Sequence, residues 1–331
     1  MNRDSQLTLP PAPNLIGAIR LGFDAVTNHI VLILFPVGLD LFLWFGPRIK
    51  LTKLINSITD QFFLLTASQD PTMAELLQPV QSQWADLAVR FNLLFFLRSY
   101  PVGVTSLVVD QHPLSSPFGT MGSWQLMSAG GVFLAFVLIS LIGIGLGTLY
   151  FMGVGQAAVI GDISWREAFA EWPWASLQMV LLALLWTVVF LVIMIPGSFL
   201  LSLIILSGTS YGNCALLIFA GVIFWLILPL VFSPHGIVIN QSNFFDSVKI
   251  SVNLTRRTLP STVLFVLAAF LISKGLDLLW GVPNETSWLL LVGIFGHAFV
   301  TTGLLASSFV YYRDAIRWIR EMVKLREMKT I

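Results

Sequence analysis

Long apolar runs alternating with short amphipathic stretches set the organisation of this chain. From Asn14 to Asn28 the bulky apolar residues Leu15, Ile16, Ile19, Phe23 and Val26 fall on one helical face, while Arg20, Asp24, Thr27 and Asn28 fall opposite. That pattern predicts a helix lying in a headgroup plane. A short apolar run follows, roughly His29 to Phe45, interrupted by Pro36. It sits at the low end of the roughly 17–25 residues needed to cross a bilayer. The same pairing recurs twice. Ser164-Trp-Arg-Glu167 reads as a capping box and opens a second amphipathic helix before an apolar run from Ala175 to Leu206, broken at Pro196-Gly197. A third amphipathic helix spans Phe244 to Leu259, with Phe244, Phe245, Val248, Val252 and Leu259 on one arc and Asp246, Lys249, Asn253, Arg256 and Arg257 on the other. It leads into an apolar run over 261–280. Further apolar runs at 131–152, 214–232 and 288–312 bring the expected spans to six.

Two of these runs end alike. Gly38 to Pro47 reads Gly-Leu-Asp-Leu-Phe-Leu-Trp-Phe-Gly-Pro, and Gly275 to Pro283 reads Gly-Leu-Asp-Leu-Leu-Trp-Gly-Val-Pro. The expected fold class is therefore all-α integral membrane: six spans as three hairpins, each preceded by an interfacial amphipathic helix, from a repeated unit. Residues 1–46 hold a Pro-rich tail, the first interfacial helix and span one. Residues 47–128 form a small extracytoplasmic helical cap, with Asp70-Pro71 opening one of its helices and an apolar stretch at 91–97 pressed onto or into the membrane. Residues 129–312 hold spans two to six, and 313–331 form a basic amphipathic helix. Gly143 and Gly147 are a small-xxx-small pair, expected to admit a neighbouring helix.

Composition agrees with this class. Of 331 residues, 56% are hydrophobic and 11% charged, against about 25% charged in soluble domains; mean hydropathy is +0.84. The formal net charge of +1 argues against a nucleic-acid partner. The one cysteine, Cys214, excludes an intramolecular disulfide framework. The first apolar run lacks a small-residue cleavage site and reads as an uncleaved anchor. Twelve of the eighteen Lys and Arg fall on the side carrying the termini and the 153–174 and 234–260 connections, and five fall in 47–128. Counting basic residues thus places both termini in the cytoplasm of a multi-pass protein of the bacterial inner membrane.

Candidate chemistry is sparse. Asp40, Lys274 and Asp277 are the ionisable residues placed at membrane depth, where a charge costs about 2.5–3.5 kcal/mol and needs a partner or a role. A Lys274–Asp40 or Lys274–Asp277 ion pair is expected, read either as a clamp between spans or as a cation or proton site. Arg20, Lys249, Arg256, Arg257, Arg317 and Arg320 are candidates for contact with anionic headgroups. His297 has no second histidine at matching depth and reads as a hydrogen-bonded packing residue. Gly208-Thr-Ser-Tyr-Gly212 matches a nucleophile-elbow string, but its place between two apolar helices makes it a turn. No metalloprotease, Walker or dinucleotide motif occurs. The expectation is a non-enzymatic lipid-interacting or scaffolding membrane module without cofactor or metal. Its partners would be membrane lipids, with a second copy or another membrane protein as further partners. The alternative is a small transporter using the polar residues around Asp40, Lys274 and Asp277.

The segments Ser164-Trp-Arg-Glu-Ala168 and Phe245-Asp-Ser-Val-Lys-Ile-Ser251, each before a span, resemble a broad bacterial group. It includes the membrane domains attached to some glycerophosphodiester phosphodiesterases and stand-alone six-helix proteins. The resemblance covers most of 150–312 and implies a six-helix membrane fold. The chain has no room for a phosphodiesterase barrel and lacks its acidic metal ligands, so that activity does not carry over. The 47–128 region departs from the short loops the resemblance implies.

Overall fold

The structure is a computed structural model that describes residues 12–69, 71–206 and 212–330. Most of the 1–13 tail, the Asp70 cap and residues 208–211 of the Gly208–Gly212 turn lie outside the described residues. Among the described residues the fold is all-α with two small two-stranded sheets. Five helices among them are long and apolar enough to cross a membrane, and a bent pair of helices makes a sixth candidate.

The bent pair comes first. α1 (Leu15–Asn28) starts at Asn14, whose side-chain oxygen accepts from the amides of Ile16 and Gly17. The chain then turns by 92° through a 3₁₀ turn at Ile30–Ile33 into α2 (Leu34–Phe45). α6 (Ala129–Val159), α7 (Trp165–Leu206), α8 (Gly212–Ile227), α11 (Leu259–Trp280) and α12 (Leu290–Thr330) are the long helices. Between α2 and α6 lie β1 (Arg48–Lys50), the helices α3 (Thr52–Gln69) and α4 (Pro71–Arg90), a 3₁₀ turn at Leu93–Leu97, α5 (Leu107–Gln111), and β2 to β4. β1 pairs in parallel with β4 (Ser123–Gln125), so the start and end of this region are stitched together, while β2 (Ser115–Ser116) and β3 (Gly119–Thr120) form a tight hairpin. The region expected as a helical cap is thus mostly helical, with short strands joining its ends.

Two expected helix boundaries are absent. The second amphipathic stretch and the third span form one helix of 42 residues, with Pro173 and Pro196 inside it. Ser164 precedes that helix, but its amide is held by the Gln156 side-chain oxygen at 3.0 Å, the position a capping box reserves for the glutamate. The sixth span and the basic tail are likewise one helix of 41 residues. At about 1.5 Å per residue each exceeds 60 Å, twice the roughly 30 Å of a hydrocarbon core.

The expected faces pack inward, with small residues at the closest contacts: Val26 is buried and Leu15, Ile19 and Phe23 are half-buried on the first amphipathic helix, as are Phe244, Val248 and Val252 on the third. α1 buries Ala18, Gly22 and Val26, while Ile16 is 76% exposed. A Cβ on Gly22 would come within 2.3 Å of the Ser307 backbone nitrogen, so α1 and α12 touch backbone to backbone. α10 (Phe244–Arg257) buries Ser247, Ser251, Leu254 and Thr255 and leaves Phe245 exposed. Its serines repair a broken helix. Pro229 and Pro234 interrupt the chain between α8 and α9 (Ser233–Asn240). Ser251 donates to the Pro229 carbonyl (2.6 Å) and accepts from the Phe232 amide (3.2 Å), while Ser247 donates to the Ser233 carbonyl. Backbone groups left without water must find such partners.

Gly143 and Gly147 also serve a different neighbour from the one expected. A Cβ at Gly143 would lie 2.4 Å from the Leu97 carbonyl oxygen, and one at Gly147 would lie 2.8 Å from Gly103 Cα. The glycine face of α6 therefore receives an extended stretch of chain, 97–103, rather than a helix. Phe96 packs edge-on against Phe136 (4.7 Å) at the top of this seam. Further along, Phe151 and Leu305 join Arg98–Thr105 around a cavity of about 150 Å³. The segment from 92 to 112 thus dips between α2, α6 and α12 and returns as α5.

Candidate functional site

α5 is five residues long and tethered at both ends. At its start Ser106 is the N-cap, with its hydroxyl accepting from the Val109 amide at 3.1 Å. Asp40 on α2 is fully buried and reaches the same turn: it accepts from the Leu107 amide (3.1 Å), the Val108 amide (3.1 Å) and the Ser106 hydroxyl. The carboxylate thereby meets the first free N–H groups of the helix, which carry its partial positive charge.

At the other end of α5, Asp110 enters a chain of charges. Its Oδ1 accepts from Arg98 (2.5 Å) and its Oδ2 from Lys274 on α11 (2.8 Å). Lys274 also binds Asp277 Oδ2 at 3.1 Å, and Asp277 Oδ1 lies 2.7 Å from His297 Nδ1 on α12. His297 is 2% exposed and its Nε2 has no hydrogen-bond partner among the described residues. Burial alone would raise the Asp110 carboxyl, but the hydrogen bond from Lys274 and the adjacent Arg98 outweigh it and hold Asp110 below the usual carboxylate value. Nearby, Thr105 Oγ1 meets Thr301 Oγ1 (2.8 Å) and the Tyr150 hydroxyl donates to Thr302 (2.8 Å), fixing the dipping segment to α12 and α12 to α6.

The same end of the molecule is tied by Glu285, in the α11–α12 connection. Its carboxylate accepts from the Leu114 amide (2.8 Å) and the Ser115 hydroxyl (2.6 Å), and its carbonyl accepts from Trp44 Nε1 (2.9 Å). Arg48, on β1, donates to the Pro113 carbonyl, and burial lowers its guanidinium below the ordinary value despite Glu285 nearby.

The expected Lys274–Asp277 pair therefore forms, and the Lys274–Asp40 pair does not. Asp40 spends its oxygens on α5, while Lys274 is claimed by Asp110. The two Gly-Leu-Asp-Leu motifs still converge, on opposite ends of one short helix. Sequence reading missed Arg98, Asp110, Ser106 and Glu285. The available signal was Ser106, three residues before Val109 in a stretch too apolar for a free loop. Arg20, Lys249, Arg256, Arg257, Arg317 and Arg320 are all exposed, on α1, α10 and α12. Arg20 lies 3.8 Å from Asp24, Lys249 lies 3.5 Å from Asp246, and Arg257 binds Asn253 at 2.9 Å.

Between α5 and α11 lies an open groove of about 730 Å³. Asp110, Lys274 and Asp277 line it together with Leu107, Leu271 and Leu278. Lys274 retains 47% side-chain exposure, Asp110 35% and Asp277 12%. Leu278 is 80% exposed. Lys274 lies six residues, about 9 Å along the axis, before Trp280, and Asp40 four residues, about 6 Å, before Trp44. A second groove of about 510 Å³, almost wholly apolar, runs between α2, 94–104 and α6, with Gly38 on its wall. No protein-family model, curated protein or solved structure matches the chain.

Proposed function

We propose that the chain is a six-span module of the bacterial plasma membrane, both termini cytoplasmic, that binds lipid without catalysing a reaction. The observation that supports it is the groove between α5 and α11. Asp277 and Lys274 sit about 4.5 Å and about 9 Å inside the helix end that carries Trp280, and exposed leucines continue from them along α11. A lysine head at such depth reaches back toward the interface along its flexible stem, so the groove offers charges to a headgroup at one end and leucines to acyl chains at the other. The exposed basic residues of α10 and α12, with Arg20 on α1, supply the cytoplasmic collar of the same reading.

Native mass spectrometry of the protein released from mild detergent tests the proposal. A retained phospholipid is the expected result, and a protein that sheds all lipid would refute it. Orientation is tested separately by single-cysteine labelling after replacing Cys214 with Ser. An impermeant reagent should reach position 81 and not position 324 in intact cells.

A transport reading is favoured by one observation, the non-helical stretch 98–106 inside the bundle. Irregular backbone at membrane depth occurs where it is buried in protein or lines a watery cavity, and here a cavity of about 150 Å³ adjoins it. Uptake assays in proteoliposomes separate the two: lipid binding without solute flux supports the first reading.

A further inference from the structure

Resting on the reading of the α5–α11 groove as a lipid site, we propose that it selects a zwitterionic headgroup bearing a phosphate and a primary ammonium, over anionic and choline headgroups. Charge is the first argument. The linked set holds two cations, Arg98 and Lys274, and two carboxylates, Asp110 and Asp277, of which all but Arg98 line the groove. Their formal charges cancel, so a net anion gains little, whereas a headgroup carrying both signs finds both partners.

The hydrogen-bond inventory is the second argument. A lysine ammonium has three donors; Lys274 spends two, on Asp110 and Asp277, and its half-exposed head leaves one for a phosphate oxygen. Gln111, on the groove wall, has a buried side-chain NH₂ with no acceptor among the described residues, a second donor on the same wall. Each carboxylate oxygen of Asp110 and Asp277 already accepts one bond and has capacity for another. An ammonium with N–H donors uses that capacity; a trimethylammonium cannot. Quaternary ammonium groups are held by aromatic cages, and none of the residues lining this groove is Phe, Tyr or Trp.

The decisive experiment places a benzophenone amino acid at position 278, beside the charges, and at position 217 on α8 as a control. Leu217 is 70% exposed, close to the 80% of Leu278. The protein is reconstituted in nanodiscs holding equal amounts of phosphatidylethanolamine, phosphatidylglycerol and phosphatidylcholine with matched chains, and the adducts are identified by mass spectrometry. The ethanolamine lipid should be enriched about fivefold or more at 278 relative to 217, the gain of one charge-assisted hydrogen bond. In the Asp110→Asn/Asp277→Asn protein that enrichment should fall below about twofold. Equal adducts, or a preference for phosphatidylglycerol or phosphatidylcholine at 278, would overturn the headgroup assignment while leaving a lipid site. Adduct yields and composition at 278 indistinguishable from those at 217 would overturn the lipid reading itself.

Discussion

Removing the Asp40 carboxylate gives the sharpest energetic prediction. In Asp40→Ala the amides of Leu107 and Val108 and the Ser106 hydroxyl lose their acceptor in a fully buried site. Each buried donor left unsatisfied costs about 1–3 kcal/mol. Relief of the buried carboxylate's own desolvation offsets part of this, leaving a net loss of about 2–4 kcal/mol. Asp40→Asn can keep its oxygen toward Ser106 and Val108, losing only the Leu107 bond, so its cost should be about 1–2 kcal/mol. The assay is denaturant unfolding in a fixed detergent, paired with proteolysis at Arg98, whose partner Asp110 is carried by the same short helix. Stability should fall in the order wild type, Asp40→Asn, Asp40→Ala, with cleavage rising in the same order. Equal stability of all three within about 0.5 kcal/mol would refute the role of Asp40 as the anchor of α5.

Three further outcomes are expected. Gly22→Val should separate α1 from α12, because its Cβ would meet the Ser307 backbone rather than a movable side chain; a loss of about 1–3 kcal/mol or more in thermal unfolding checks it, whereas Gly38→Ala, where a Cβ meets nothing, should be neutral. Ser251→Ala should destabilise by about 1–3 kcal/mol, since the Phe232 amide loses its acceptor at the Pro229 break, and Ser251→Thr should restore most of the loss. The folded value of Asp110 lies below its unfolded one, so its contribution is complete above the unfolded value and is lost as pH falls through the folded value. The melting difference between wild type and Asp110→Asn should therefore stay constant from neutral pH down to about 5 and vanish only below about 4.

Helix positions were legible in the sequence because a run of apolar residues has one meaning at membrane length. Helix faces were legible only in part. In α1 and α10 bulky Val26 and Leu254 turn inward as bulk predicts, but so do Gly22, Ser247 and Ser251, which bulk does not single out. Close backbone approach and hydrogen bonding place those small residues. Pro196 read as a break, yet it sits inside one continuous helix, as does Pro173. Asp40, Lys274 and Asp277 could be singled out because charge at that depth is costly. Their partners could not, since Arg98 and Asp110 come from a segment whose path between α6 and α12 depends on Gly143, Gly147 and Thr301, far away in the chain.

Lys274 joins α5, α11 and the groove, and its substitution tests the lipid-binding claim most directly. Lipid retained by wild type and by Lys274→Gln is counted by native mass spectrometry, with melting temperature recorded in parallel. The account predicts a bound phospholipid in wild type and at least about a tenfold loss of occupancy in the variant, with the helix content unchanged. Equal retention by both proteins would contradict it.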